Sequence, residues 1–212
     1  MLYIFRSNLI IDSKISWVPH ITYVKNKISK GIGIMYKARR YLSKKCLVNL
    51  YHSYIYPYLI YCIESWGNAS DCHLEQLYFL QKKIIRIVTY SDFNISSDIL
   101  FKNLQILPLN KLIHHRIGIM MFKYANGLLP QVMDDLYTTN SNVHSHFTRQ
   151  FHLLHINKGS INVFTRSFAN TSARVWNSLQ SNIDVFVPLP TFKRVLKMYL
   201  MYHSLQLHYP KW

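Results

Sequence analysis

The chain has 212 residues and a mass of 25.2 kDa, and half of its residues are hydrophobic, enough to close one ordinary domain or two small helical subdomains. Lys and Arg number 25 against 9 Asp and Glu, a formal +16, a surplus that repels itself in a compact fold and points to a polyanionic partner or a larger parent protein. This balance weakens the case for a metalloprotein, a secreted scaffold or a membrane protein. The most continuous apolar run, Tyr54 to Ile63, falls well short of the roughly 20 residues that span a bilayer.

Leu2 to Ile11 is apolar and β-branched and predicts one or two short strands, starting with no polar lead-in, as a piece of something longer would. Asp12-Ser13-Lys14 predicts a turn. From His20 onward Ile21, Val24, Ile28, Ile32 and Met35 recur every three or four residues, the period of an amphipathic helix. Gly31 and Gly33 allow close backbone approach or a bend within it. Ser43 suits the cap of a second helix through Leu47, Leu50, Tyr51, Tyr54 and Ile55, which Pro57 kinks or ends.

Trp66-Gly67-Asn68 punctuates the chain. Ser70 and Asp71 open a third helix with Leu74, Leu77, Gln81, Ile84, Ile85 and Val88 on its inner side. A short helix is expected over Ser97 to Leu104. Pro108 introduces a longer one through Leu112 and Met121, stopped at Asn126-Gly127. Thr138 to Ser145 reads as polar loop, and His152 to Phe164 as an extended hairpin around Lys158-Gly159. Two helices close the chain, Ser167 to Leu179 and Thr191 to Tyr202. The expected fold class is mainly α: a helical bundle behind a short β segment, with a small mixed C-terminal part.

Cys46, Cys62 and Cys72 are widely spaced with no CxxC pair, which predicts free, buried thiols in a reducing compartment. Met1 to Ile11 lacks a cleavage pattern, so an intracellular protein is expected, in nucleus or cytoplasm. Residues 1–60 carry ten Lys and Arg against one acid, more than half of the excess charge. Lys25, Lys27, Lys30, Lys37, Arg39 and Arg40 lie off the apolar stripe of the first helix or at its edge. They form either a phosphate-tracking surface or a solvated helix face.

Catalytic signals are weak. Asp134-Asp135 imitates a polymerase aspartate pair, but a helix pattern precedes it, Val132 stands where an aromatic belongs, and no third strand-borne Asp lies upstream. An acidic helix start after Pro130 is the better reading. His114 with His115, His144 with His146 and His152 with His155 lack structural-zinc spacing. No metal or cofactor is expected.

Leu50-Tyr51-His52-Ser53-Tyr54-Ile55-Tyr56-Pro57-Tyr58-Leu59 through Trp66-Gly67-Asn68, Leu80-Gln81-Lys82-Lys83-Ile84-Ile85-Arg86-Ile87, Phe122-Lys123-Tyr124 and Leu128-Leu129-Pro130 form an ordered series. His144, Thr148-Arg149-Gln150, Ala173-Arg174-Val175-Trp176-Asn177-Ser178-Leu179 and Phe192-Lys193 continue it. The series resembles the region downstream of the palm in non-LTR (LINE-type, jockey-like) retrotransposon reverse transcriptases, and covers nearly the whole chain.

Leu9 to Trp17 with His20 resembles the end of the palm and its primer-gripping hairpin. Ser7 and Asn8 stand where the family has leucine–glycine. The resemblance implies a palm remnant over 1–19, a thumb-like helical domain over 20–130 and a C-terminal extension over 131–212. It places the magnesium-binding carboxylates of the parent polymerase upstream, so this chain is expected not to be an enzyme. It also implies that Lys25, Lys27, Lys30, Lys37, Arg39 and Arg40 hold the phosphates of RNA or an RNA–DNA duplex, with a palm domain or parent polymerase as a further partner. Trp66 and Trp176 are read as core anchors rather than stacking platforms. The alternative is a helical protein-interaction module that packs through the Tyr-rich 51–61 segment.

Overall fold

Leu2–Ile4 (β1) and Ile10–Asp12 (β2) pair antiparallel with Tyr3 opposite Ile11, as the alternating apolar start predicts. The computed structural model describes residues 2–4, 9–143, 149–157 and 162–205. Apart from this hairpin and a bridge between Thr139 and Leu154, the regular structure of the described residues is helical. The chain divides into two compact units, Met1–Leu112 and Ile113–Trp212.

In the first unit, Val18–Ala38 (α1) buries Ile21, Val24, Ile28, Ile32 and Met35, the stripe read from the sequence. Lys44–Leu50 (α2) follows Ser43, whose hydroxyl accepts the Cys46 amide. The helix does not end at Pro57. It widens into a π-helical turn, Tyr51–Ile55, and resumes as Tyr56–Ile60 (α3). Proline lacks the amide and crowds the carbonyl four residues back, so the chain relaxes to a five-residue step, with the Tyr56 amide reaching the Tyr51 carbonyl.

A short helix, Ile63–Trp66 (α4), leads to Asp71–Thr89 (α5), which buries Leu77, Gln81, Ile84, Ile85, Ile87 and Val88. Ser97–Leu104 (α6) matches its expected bounds. Lys25 Nζ donates to Gln76 Oε1 at 2.9 Å, and the Tyr90 hydroxyl reaches the Arg39 carbonyl at 3.0 Å. Each bond joins residues 51 apart, so α1 and α5 run parallel and in register.

Leu109–Ala125 (α7) begins in the first unit and continues into the second. It stops as expected at Gly127, whose φ of 64° is the left-handed conformation that glycine adopts without strain. In the second unit Phe168–Gln180 (α10) and Leu189–Tyr202 (α11) enclose Trp176 and Phe192, and Phe122 stacks on Phe192 at 4.3 Å. Gly118 sits where a Cβ would crowd Leu179 and Leu196.

Two expectations change here, and part of each lies outside the described residues. Asn140–Val143 (α8) is helical where loop was expected, Ser145 and Lys158-Gly159 lie outside the described residues, and Asn162–Thr165 (α9) is helical rather than extended. Leu154 pairs instead with Thr139, because Asn177 clamps it: Asn177 Oδ1 accepts the Leu154 amide and Nδ2 donates to its carbonyl. Such pairing through a distant side chain leaves no local periodicity. No helix among the described residues is long and apolar enough to cross a membrane.

Candidate nucleic-acid interface

Helical spacing sorts the six cations. About 100° separates successive residues, so Lys27, Lys30 and Lys37 fall within an arc of roughly 80° on the side of α1 turned from its core, while Lys25 lies at the opposite edge. Lys30, Lys37 and Arg40 are exposed. Lys25 is engaged by Gln76, and Lys27 Nζ lies 5.3 Å from the Tyr23 ring. Arg39 stacks over Tyr90 at 4.7 Å. The fold therefore brings three of the six onto one face and ties Lys25 and Arg39 into the α1–α5 contact.

The residues that look like a primer grip do structural work. Asp12 accepts the backbone amides of Ser16 (3.1 Å) and Trp17 (3.0 Å). Partial burial pushes its carboxyl pKa up, but the hydrogen bonds from Ser16 and Trp17 outweigh it and hold the pKa below the usual range. This cradle supports left-handed backbone at Ile15 and Trp17, conformations unusual for such side chains.

Desolvation lowers the pKa of buried His20; its ring accepts the Ile10 amide and lies 5.7 Å from Trp66. Ser7 and Asn8 lie outside the described residues. Trp66 and Trp176 are both buried, as core anchors are.

Gln81 is a buried residue whose role sequence reasoning missed. Its amide donates to the Tyr51 hydroxyl (3.1 Å) and the Leu107 carbonyl (3.0 Å), and its carbonyl accepts the Leu109 amide (2.8 Å). A glutamine on an apolar stripe was the available signal. It ties α5 to the π-helical turn and to the start of α7.

Asp134 and Asp135 are exposed on a 3-10 helix, Gln131–Leu136, rather than on a strand hairpin. His114 and His115 are driven down to about 4 by burial, and Arg116, Lys197 and Lys193 lower His115 further. His155 bonds Asn140 at 2.9 Å; His144, His146 and Thr148 lie outside the described residues. Among the described residues, no three His, Cys, Asp or Glu side chains gather closely enough to hold a metal. The cysteines are free, but none is buried: Cys62 is half-buried, and Cys46 and Cys72 are exposed because each lies on the outer face of its helix. An open cavity in the second unit is lined by Arg174, Asn177, Tyr199 and His203. Arg174 is held by the Thr165 carbonyl and Asn177 by Leu154, so these polar groups serve the fold.

A mainly helical chain with a basic helix and no assembled carboxylate cluster among its described residues is similar, over part of its length, to RNA-directed DNA polymerases of mobile elements. One relative is the RNA-directed DNA polymerase from mobile element jockey of Drosophila melanogaster, 30% identical over 82 residues, 37% of this chain and 9% of that protein. Another is the "Probable RNA-directed DNA polymerase from transposon X-element" of the same organism, 21% identical over 101 residues, 46% of this chain and 11% of that protein. The chain thus spans about a tenth of the length of these relatives. No family model matches the chain. No solved structure matches it.

Proposed function

We propose that this chain is a non-catalytic, reverse-transcriptase-related module that binds RNA or an RNA–DNA duplex through α1. The observation that carries the reading is the row of half-buried Lys27 and exposed Lys30 and Lys37 on one face of a helix whose other face is core. Lysine is a flexible point charge, so such a row holds phosphates without selecting a sequence. Similarity to two mobile-element polymerases supports nucleic acid as the partner class. A palm domain, encoded with the chain or apart from it, would supply the carboxylates and magnesium that polymerisation requires.

Titration of a labelled RNA–DNA duplex across a salt series tests the reading. Three shared phosphates give a slope of log affinity against log salt of about −3, whereas six would approach −5. Lys27→Gln, Lys30→Gln and Lys37→Gln together should abolish most of that slope. Unchanged affinity in the triple variant rejects the assignment. The second reading, a protein-interaction module, rests on Tyr54 and Tyr61, which are exposed within the Tyr-rich segment. It predicts binding to a protein partner that barely responds to salt.

A further inference from the structure

The outward face of α5 carries an arrangement that the α1 row does not use. Phe79, Lys83 and Arg86 stand at positions i, i+4 and i+7 of α5, within an arc of roughly 60° and over about 10 Å of helix, and Tyr90, left-handed at φ 56°, follows the helix end with its hydroxyl on the Arg39 and Leu42 carbonyls. The buried positions of the same helix, Leu77, Gln81, Ile84 and Val88, lie on the opposite side. The Phe79 ring is 66% exposed, Tyr90 44% and Phe93, in the following loop, 81%. Packing does not explain two phenylalanines turned so far into water.

Each aromatic has a cation close by. The Arg86 guanidinium lies 5.8 Å from the Phe93 ring and also donates to the Ile95 carbonyl, at 3.4 Å. Arg39 lies 4.7 Å from the Tyr90 ring, and Lys83 is one turn from Phe79. Along the sequence the nearest acids are Glu75, one turn before Phe79, and Asp92, beside Phe93, and in space Asp98 acts on neighbouring Tyr78. Apart from those ends the stripe is positive.

We propose that this stripe is a docking surface for single-stranded nucleic acid. Exposed rings need flat apolar partners, and the cations between them need phosphates; an unpaired strand offers both at one repeat. With stacked bases about 3.4 Å apart, the roughly 10 Å from Phe79 to Arg86 accommodates about three nucleotides. A duplex keeps its base faces covered and would meet only the cations. An apolar protein groove would leave the cations unmatched. The inference takes its ligand class from the nucleic-acid reading of α1, but rests on different residues and a different strand state.

The test uses the full chain with fluorescein-labelled oligo-uridine and an RNA–DNA duplex of equal length, followed by anisotropy at one salt level. Phe79→Ala with Phe93→Ala should weaken the single strand at least fivefold and the duplex less than twofold. Phe79→Leu, which keeps apolar volume but removes the ring, should weaken the single strand alone, and circular dichroism checks that each variant is folded. The α1 triple variant should show the reverse preference, so failure of one site does not disguise failure of the other. Equal loss on both ligands would show that the rings do not distinguish an unpaired strand and overturn the proposal. Unchanged oligo-uridine affinity would also overturn it.

Discussion

Two glycines two residues apart in α1 have opposite environments. A Cβ at Gly31 would run into Ile55 Cδ1, and Ile55 is wholly buried, so its side chain has nowhere to turn. Nothing lies within 4 Å of a Cβ at Gly33. Gly33→Ala should therefore raise stability by about 0.5–1 kcal/mol through helix propensity. Gly31→Ala should lower it by about 1 kcal/mol net, overpacking outweighing the same gain. Urea midpoints of the two variants, moving in opposite directions, check both.

Gln81→Leu is a harsher change: it strands the Tyr51 hydroxyl, the Leu107 carbonyl and the Leu109 amide inside the unit. A loss of about 3 kcal/mol or more is expected, again from urea unfolding. Periodicity marked both glycines and placed Gln81 on the inner side of α5. It could not tell Gly31 from Gly33, because the difference lies in Ile55, on another helix.

At the scale of elements, the local signals were strong where they were chemical. Ser43 caps α2, Gly127 ends α7, and α6 takes its expected bounds because each boundary depends on neighbours in sequence. Pro57 offered a kink or an end, and only the structure shows the π-helical turn that absorbs it. The described parts of 138–164 depart from expectation for the converse reason. Asn157 is held through its amide and carbonyl by Asn170, and Leu154 in the same way by Asn177.

These asparagines act as detached strands, so Asn177→Leu should release the Thr139–Leu154 bridge. Faster amide exchange at Leu154 and His155, with α10 still protected, is the expected result. Of the candidate interface, the α1 cations and their common face were readable from helical spacing. The partners of Lys25 and Arg39 were not, since they sit on α5.

For the whole molecule, pH separates the folded state from the unfolded one through α7. Burial holds His114 and His115 at about 4, below the ordinary histidine value; on His115 the charges of Arg116, Lys197 and Lys193 act in the same direction, against the hydrogen bond to the Lys193 carbonyl. Below about pH 6.5 the unfolded chain binds protons that the fold refuses. Stability is thus fully present above neutrality and declines steadily as pH falls from about 6.5 towards 4. Chemical denaturation at pH 7.5, 6 and 5 should show falling midpoints, with a shallower trend in His115→Gln. A midpoint constant over that window would contradict the burial of both rings.

The parallel register of α1 and α5 also bears on how the chain is born. α1 is complete at residue 38, whereas the residue that clasps its far end, Tyr90, is made 51 positions after Arg39. At ribosomal rates of roughly 5–20 residues per second, that interval lasts about 3–10 s. Throughout it a greasy, lysine-edged rod waits outside the exit tunnel without its mate. Nascent-chain chaperones have their clearest opening on this protein during that delay.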